Sequence, residues 1–311
     1  MQPTRLVRTL TFWLRPAFAL RVVSRFQRII GFDRAIALAS SAFTTLLPVA
    51  LLVASVLSRL GRQDVADRIV NRYGLTGGGA DAVRSLFSFP DGPGVSLGFF
   101  GVIFLVVSSL SFARAAQRLY EQTWELTPLS VRNSLNGLLW LLAVVVYAVA
   151  VGWLHALFGG GRLQFAATAC QVPLTAALLI WGGWILTARR CPWPHLVPFG
   201  IIGALFSALY AMGSAVYLPR VFSSYGTRYG ALGAVFAMIT ALFGAMLTFV
   251  GSAALGREVN DELGRIARHE APPDDEIRQE WATIRRQTMA HWQTAREDLA
   301  RRRQARAAKH G

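Results

Sequence analysis

The chain has 311 residues, 53% of them hydrophobic and only 16% charged, with a mean hydropathy of +0.40. Soluble domains run nearer a quarter charged, so this composition argues against an ordinary water-soluble enzyme and points to lipid as the solvent. The formal net charge of +15 would suit nucleic acid, but its placement along the chain says otherwise.

The first element is an arm, residues 1 to 34. RLVRTLTFWLRPAFALRVVSRFQRII is interrupted by arginines every few positions, so it fails as a span, and it has no small-residue cleavage site of a signal peptide. The spacing predicts an interfacial helix. Leu10, Phe12, Trp13, Leu14, Phe18 and Leu20 would enter the headgroup boundary, while Arg8, Arg15, Arg21, Arg25 and Arg28 meet anionic lipid. A plain basic flank is the alternative.

Residues 35 to 257 then contain six runs free of Asp, Glu, Lys and Arg: 35 to 57, 95 to 113, 137 to 158, 165 to 187, 196 to 218 and 231 to 255. Each is near the ~20 residues that a helix needs to cross hydrocarbon. The runs are continuous and not alternating, which excludes a barrel. The expected fold is therefore all-α: a polytopic membrane protein of six transmembrane helices.

Span 1 contains SSAFTTLLP. Ser40, Thr44 and Pro48 are spaced by four, as are Ser41 and Thr45, so a helix gathers them into one stripe. Pro48 frees the carbonyl of Thr44, which accounts for one or two hydroxyls. The others should face protein or water. Span 2 ends with Ser108, Ser109 and Ser111 before Arg114 and Arg118; span 6 ends with Thr248 and Ser252 before Arg257 and Glu258. Three spans thus place hydroxyls at similar depth. If spans 1, 2 and 6 adjoin, they line a polar vestibule with arginines at its mouth, suited to an anionic headgroup. Helix packing with interfacial anchoring is the alternative.

The loop 58 to 94 carries two short amphipathic stretches and ends at PDGPG. It is longer than a connection requires and could cover an opening or meet a partner. In the last two spans, small residues recur every four positions: Gly203, Ser207, Ala211 and Ala215; Gly233, Ala237, Ala241 and Ala245; and Gly244, Thr248, Ser252 and Gly256. Such ladders permit close helix contact and leave a homo-oligomer open. Residues 258 to 311 form a basic tail. After APPDD, the positions Trp281, Ile284, Met289, Trp292, Ala295 and Leu299 predict an amphipathic helix.

Basic residues number seven in the arm, three after span 2, two after span 4 and twelve from residue 256 on. The alternate loops hold five, one and two. By the positive-inside rule both termini are cytoplasmic, and basic charge follows topology rather than RNA. Cys170 and Cys191 fall at opposite ends of span 4, about 30 Å apart by helix rise, too far to bridge. His155, His195, His269, His291 and His310 share no ligand spacing, so no metal or cofactor is expected. There is no phosphate-binding loop, no nucleophile elbow and no acid pair within a span, so the chain reads as a non-enzyme. The span centres lack charge, which disfavours a proton-driven antiporter.

FDRAIALASSAFTTLLPVALL, SLSFARAAQRLYEQTWEL and SSYGTRYGALGAVFAMITALFGAMLTFVGSAALGREVN resemble the YihY/virulence factor BrkB family, once labelled ribonuclease BN-like, over residues 30 to 262. Pro48 stands at the proline of the family's entry helix, Tyr229 and Gly230 at its Tyr-Gly pair, and Gly251 at its closing glycine. The resemblance implies a multi-pass protein of the bacterial inner (plasma) membrane, with proposals leaning toward export of lipids or lipid-linked molecules. The older label implies a nuclease, for which this chain lacks metal ligands and an acid–base pair. The expected function is a non-enzymatic transporter or flippase-like facilitator of a lipid or other amphiphile. A membrane scaffold recruiting partners through the outer loop and tail is the rival reading.

Overall fold

The computed structural model describes residues 16–59, 67, 70, 99–129, 134–158, 164–229, 231–268 and 282. The loop 58 to 94, apart from its first two positions and Asp67 and Val70, lies outside them, as do the first fifteen residues and the expected tail helix except Ala282. Seven helices are described: α1 Pro16–Arg28, α2 Gly31–Arg59, α3 Phe99–Thr123, α4 Ser134–Phe158, α5 Gln164–Leu186, α6 Trp193–Tyr229 and α7 Ala231–Ala267. No strand occurs among the described residues.

Among the described residues, four helical stretches are long and apolar enough to cross a membrane: Ser134–Leu154, Ala169–Leu186, Trp193–Phe222 and Val235–Ala267. A fifth arises if Ala17–Arg28 and Gly31–Leu46 count as one broken span. The first two expected spans fall in α2 and α3. Neither enters this count whole: the stretch of α2 that enters it ends at Leu46, and residues 95 to 98 precede the described part of α3. The last two helices are longer than their apolar runs. At 37 residues each they extend about 55 Å, well beyond a hydrocarbon core of about 30 Å.

The chain divides into two compact units, Phe32–Arg257 and Met1–Gly31 with Glu258–Gly311. In the first, α5 packs most extensively on α6 and then on α4, while α3 touches α4 and α5. The centre is aromatic. Tyr120 and Trp124 stack at 5.8 Å, and Phe199 and Phe249 meet Tyr120 edge-on at 5.5 and 6.0 Å. The Tyr120 hydroxyl donates to the carbonyl of Leu179 at 3.1 Å, so this buried ring is satisfied at its polar end.

Helices α6 and α7 run antiparallel at close range, and glycine is what allows it. A Cβ on Gly256 would overlap the backbone of Phe199; one on Gly244 would meet the Tyr210 ring at 2.9 Å; and the Ser252 hydroxyl lies 3.5 Å from a Cβ built on Gly203. The ladder Gly244, Thr248, Ser252 and Gly256 therefore marks the α6–α7 contact, as expected of small residues at four-residue spacing. Tyr210 adds a hydrogen bond to the carbonyl of Ala241 at 2.6 Å. Away from these contacts, α4 exposes Leu135, Leu138, Leu142, Val145, Val149 and Trp153. That face is apolar where a soluble helix would be charged, which fits acyl chains.

The second unit is held by charge. Arg21 donates from Nε to Glu258 and from Nη2 to Glu262, both at 2.7 Å, and Arg25 binds Glu258 at 3.0 Å and Asp261 at 2.7 Å. Arg265 also reaches Glu262, at 3.2 Å. The expectation that the arginines of the arm meet lipid phosphates fails for Arg21. Its side chain is 7% exposed, because acids at 258, 261 and 262 form one helix face that accepts arginines spaced by four. Ile30 has a positive φ of 53°, a conformation unfavourable for a β-branched residue, and this breaks the helix before Gly31. Gly31 lies beneath the Phe26 ring, where any Cβ would overlap it.

Candidate functional site

The hydroxyl stripe of α2 straddles the boundary between buried and exposed surface. Thr45 and Pro48 are buried, Ser41 is half-buried, and Ser40 and Thr44 are exposed. Most of these hydroxyls satisfy themselves locally. Ser41 donates to the carbonyl of Leu38, Thr44 to that of Ser40 and Thr45 to that of Ser41, at 2.8 to 3.0 Å. Such back-bonding lets a hydroxyl sit in an apolar helix without water. It explains more of the stripe than Pro48 alone would.

One hydroxyl reaches across. Thr45 also contacts the carbonyl of Ser108 at 3.0 Å, in a buried position, and Ser108 turns its own hydroxyl to Leu105. This fixes α2 beside α3. Ten or eleven residues further along the two helices, Arg34 is withdrawn in part from water by burial and, to a lesser degree, feels the like charge of Arg118, with Asp33 opposing both. Thr45 to Arg34 and Ser108 to Arg118 run in opposite directions along the sequence, so the helices lie antiparallel and form a seam of about 16 Å. Its surface grades from buried hydroxyls to guanidinium groups. Ser109 is half-buried, Ser111, Arg114 and Arg118 are exposed, and Arg114 lies 3.4 Å from the Ser134 hydroxyl of α4.

Span 6 does not contribute as expected. Thr248 donates to the carbonyl of Gly244 at 2.8 Å, and Ser252 to those of Thr248 and Phe249 at 2.7 and 3.0 Å. Both belong to the ladder packed against α6, with Ser252 facing Gly203. The reason is that helix packing and a polar path both call for small polar residues at four-residue spacing, and here packing takes them. The site rests on α2 and α3.

A family model described as Virulence factor BrkB matches residues 22–275. This chain belongs to that family. The match takes in α2 to α7 and most of α1, so the α2–α3 seam lies within the part shared with other virulence factor BrkB proteins. Comparison with curated proteins and with solved structures found no match. Of the positions that carried the resemblance, Pro48 is buried within α2, Tyr229 ends α6, and Gly230 lies outside the described residues. A Cβ on Gly251 would meet open space, so packing does not require glycine there.

Beside the seam, this BrkB-family chain has a polar clamp that its sequence hid. Glu121, buried near the end of α3, accepts from Gln117 Nε2 at 2.8 Å, from the backbone N–H of Leu129 at 2.9 Å and from Arg190 Nη2 at 3.4 Å. Arg190 continues to the carbonyl of Thr127 at 2.7 Å. The segment after α3 is thereby tied to the turn between α5 and α6. Gln117 and Glu121 at four-residue spacing were a visible signal; the partner 69 residues away was not. No group of three or more His, Cys, Asp or Glu able to hold a metal occurs among the described residues.

Proposed function

We propose that this protein accommodates and moves an anionic amphiphile, in the first instance a membrane lipid, along the α2–α3 seam without covalent chemistry. The chain then crosses the bacterial plasma membrane six times, with both termini cytoplasmic and the arginine end of the seam facing the cytoplasm. The observation that carries this reading is the grading of the seam, from Thr45 and Ser108 to Arg34 and Arg118. Two guanidinium groups near enough to repel gain most when a phosphate lies between them, and arginine matches phosphate with paired donors. Exposed Ser40 and Ser111 place further hydroxyls beside an otherwise apolar surface, the pairing that a headgroup with acyl chains requires. Anionic lipids of the cytoplasmic leaflet are the partners in this reading. The rival scaffold reading rests on the loop 58 to 94 and the basic tail, almost all of which lies outside the described residues.

The test is transfer of headgroup-labelled phosphatidylglycerol and phosphatidylcholine in proteoliposomes. Arg34→Gln with Arg118→Gln should slow the anionic lipid and leave the zwitterionic one little changed. Equal rates for both lipids, in the wild type and in the variant, would remove the anion-selective seam.

A further inference from the structure

We infer that the outward side of α5 is a contact between two copies of this chain, joined within the hydrocarbon by the amide of Gln171. The observation behind this is a ring of hydrogen bonds between α4 and α5. Gln171 Nε2 donates to the Tyr147 hydroxyl at 3.0 Å, that hydroxyl lies 2.7 Å from Thr175 Oγ1, and Thr175 donates to the backbone carbonyl of Gln171 at 2.9 Å. Since Thr175 gives its proton to the carbonyl, Tyr147 donates to Thr175 and accepts from Gln171. The ring leaves the Gln171 amide half used. Among the described residues its Oε1 accepts nothing, and Nε2 keeps a second donor. Tyr147 is the fourteenth of the 25 residues of α4 and Thr175 the twelfth of the 23 of α5. Both helices are long and apolar enough to be spans, so the ring lies within a hydrocarbon core of about 30 Å. Acyl chains offer an amide nothing to bond there, and an unfilled polar group is costly.

The neighbours of α5 show which side is open. Leu179 and Ile180 lie against Gly203 and Gly200 of α6, and Gly182 lies against Trp140 of α4. On the third side Cys170, Leu174, Ala177 and Trp181 are exposed. They are spaced by four, three and four and are alternately small and large, which is the seam of a helix pair whose small positions admit the large side chains of its partner. Acyl chains would also suit that spacing. They do not suit the amide at its border. A second copy inserted in the same orientation brings its own Gln171 to the same depth, and an amide offers its like one donor and one acceptor. This contact is separate from the α2–α3 seam and does not require transport.

The experiment is oxidative cross-linking of the full chain in liposomes with Cys191→Ser, which leaves Cys170 as the one thiol. Copper phenanthroline should give a disulfide-linked dimer on a non-reducing gel, because copies paired along this side bring the two Cys170 Cα atoms within the roughly 7 Å that a disulfide spans. Leu142→Cys, on the exposed side of α4 in a chain with both native cysteines changed to serine, reports random encounters. The expected result is more dimer at position 170 than at 142, retained when the protein is diluted with lipid, and a several-fold fall on adding Gln171→Leu while circular dichroism is unchanged. Cross-linking at 170 no greater than at 142 would overturn the inference in favour of acyl chains on this side. A dimer fraction indifferent to Gln171→Leu would overturn the part assigned to the amide. Single-molecule photobleaching of the tagged wild type needs no substitution: two bleaching steps per particle are expected, and single steps would overturn the pairing.

Discussion

Gly256 of α7 lies directly over the backbone of Phe199 in α6, so close that a methyl group on the glycine would occupy the space of the Phe199 Cα. The two helices meet here at backbone range, and neither can retreat cheaply because Phe199 is also packed against Tyr120, Trp124 and Phe249. Gly256→Ala should therefore destabilise the protein by about 1 to 3 kcal/mol, the usual range for overpacking. Thermal unfolding in detergent checks this. Gly251→Ala is the control: its Cβ enters open space, and it should leave the midpoint unchanged or slightly raised.

Arg21 is the second point of leverage. Removing it by Arg21→Ala leaves Glu258 and Glu262, 2% and 1% exposed, without the guanidinium that bridges them. Loss of one partner of a buried pair costs about 3 to 5 kcal/mol. The expected outcome is a clear fall in the melting midpoint and faster proteolysis of the segment before Gly31. Arg21→Lys should recover only part of it, since a single ammonium nitrogen does not reproduce the separate Nε and Nη2 donors that reach Glu258 and Glu262.

The thiol of Cys191 gives a pH prediction. Burial pushes it up to about 11, against the opposing positive charge of Arg257. The thiolate is the reactive form, and an ordinary cysteine ionises near about 8.5. Cys191 should thus resist alkylation by iodoacetamide at pH 8 in the folded protein and react only as the pH approaches 11 or after unfolding. The sign for stability follows: folding favours the protonated thiol, so the contribution is complete below the unfolded pKa and is lost as pH rises through the folded one. Mass spectrometry of the alkylated peptide measures it, with Cys170→Ser to isolate the signal.

Much of the architecture was legible because lipid is an undemanding solvent. Long apolar runs can only become helices there, and the runs in α4 to α7 did so. The ladder Gly244 to Gly256 announced a close contact for the same reason that Gly256 now abuts Phe199. Thr248 and Ser252 were ambiguous, since the spacing that suits packing also suits a path. Arg21 misled because a basic amphipathic helix looks the same in sequence whether its charges meet phosphates or carboxylates. The deciding acids stand 237 and 241 residues away. Glu121 and Arg190 were hidden likewise, by separation rather than by chemistry.

The most direct measurement of the central claim is transfer of headgroup-labelled phosphatidylglycerol by purified protein in liposomes, comparing wild type with Ser41→Val and Thr45→Val combined. Valine keeps the shape of Thr45 and adds one methyl group at half-buried Ser41, and it removes both hydroxyls, including the contact from Thr45 to the carbonyl of Ser108. The account predicts transfer by the wild type and a loss of about tenfold in the variant, which corresponds to about 1.4 kcal/mol, in a protein that stays folded with a melting midpoint lowered only by the loss of one interhelical hydrogen bond. An unchanged rate in a stably folded variant, or no transfer by the wild type, would contradict it.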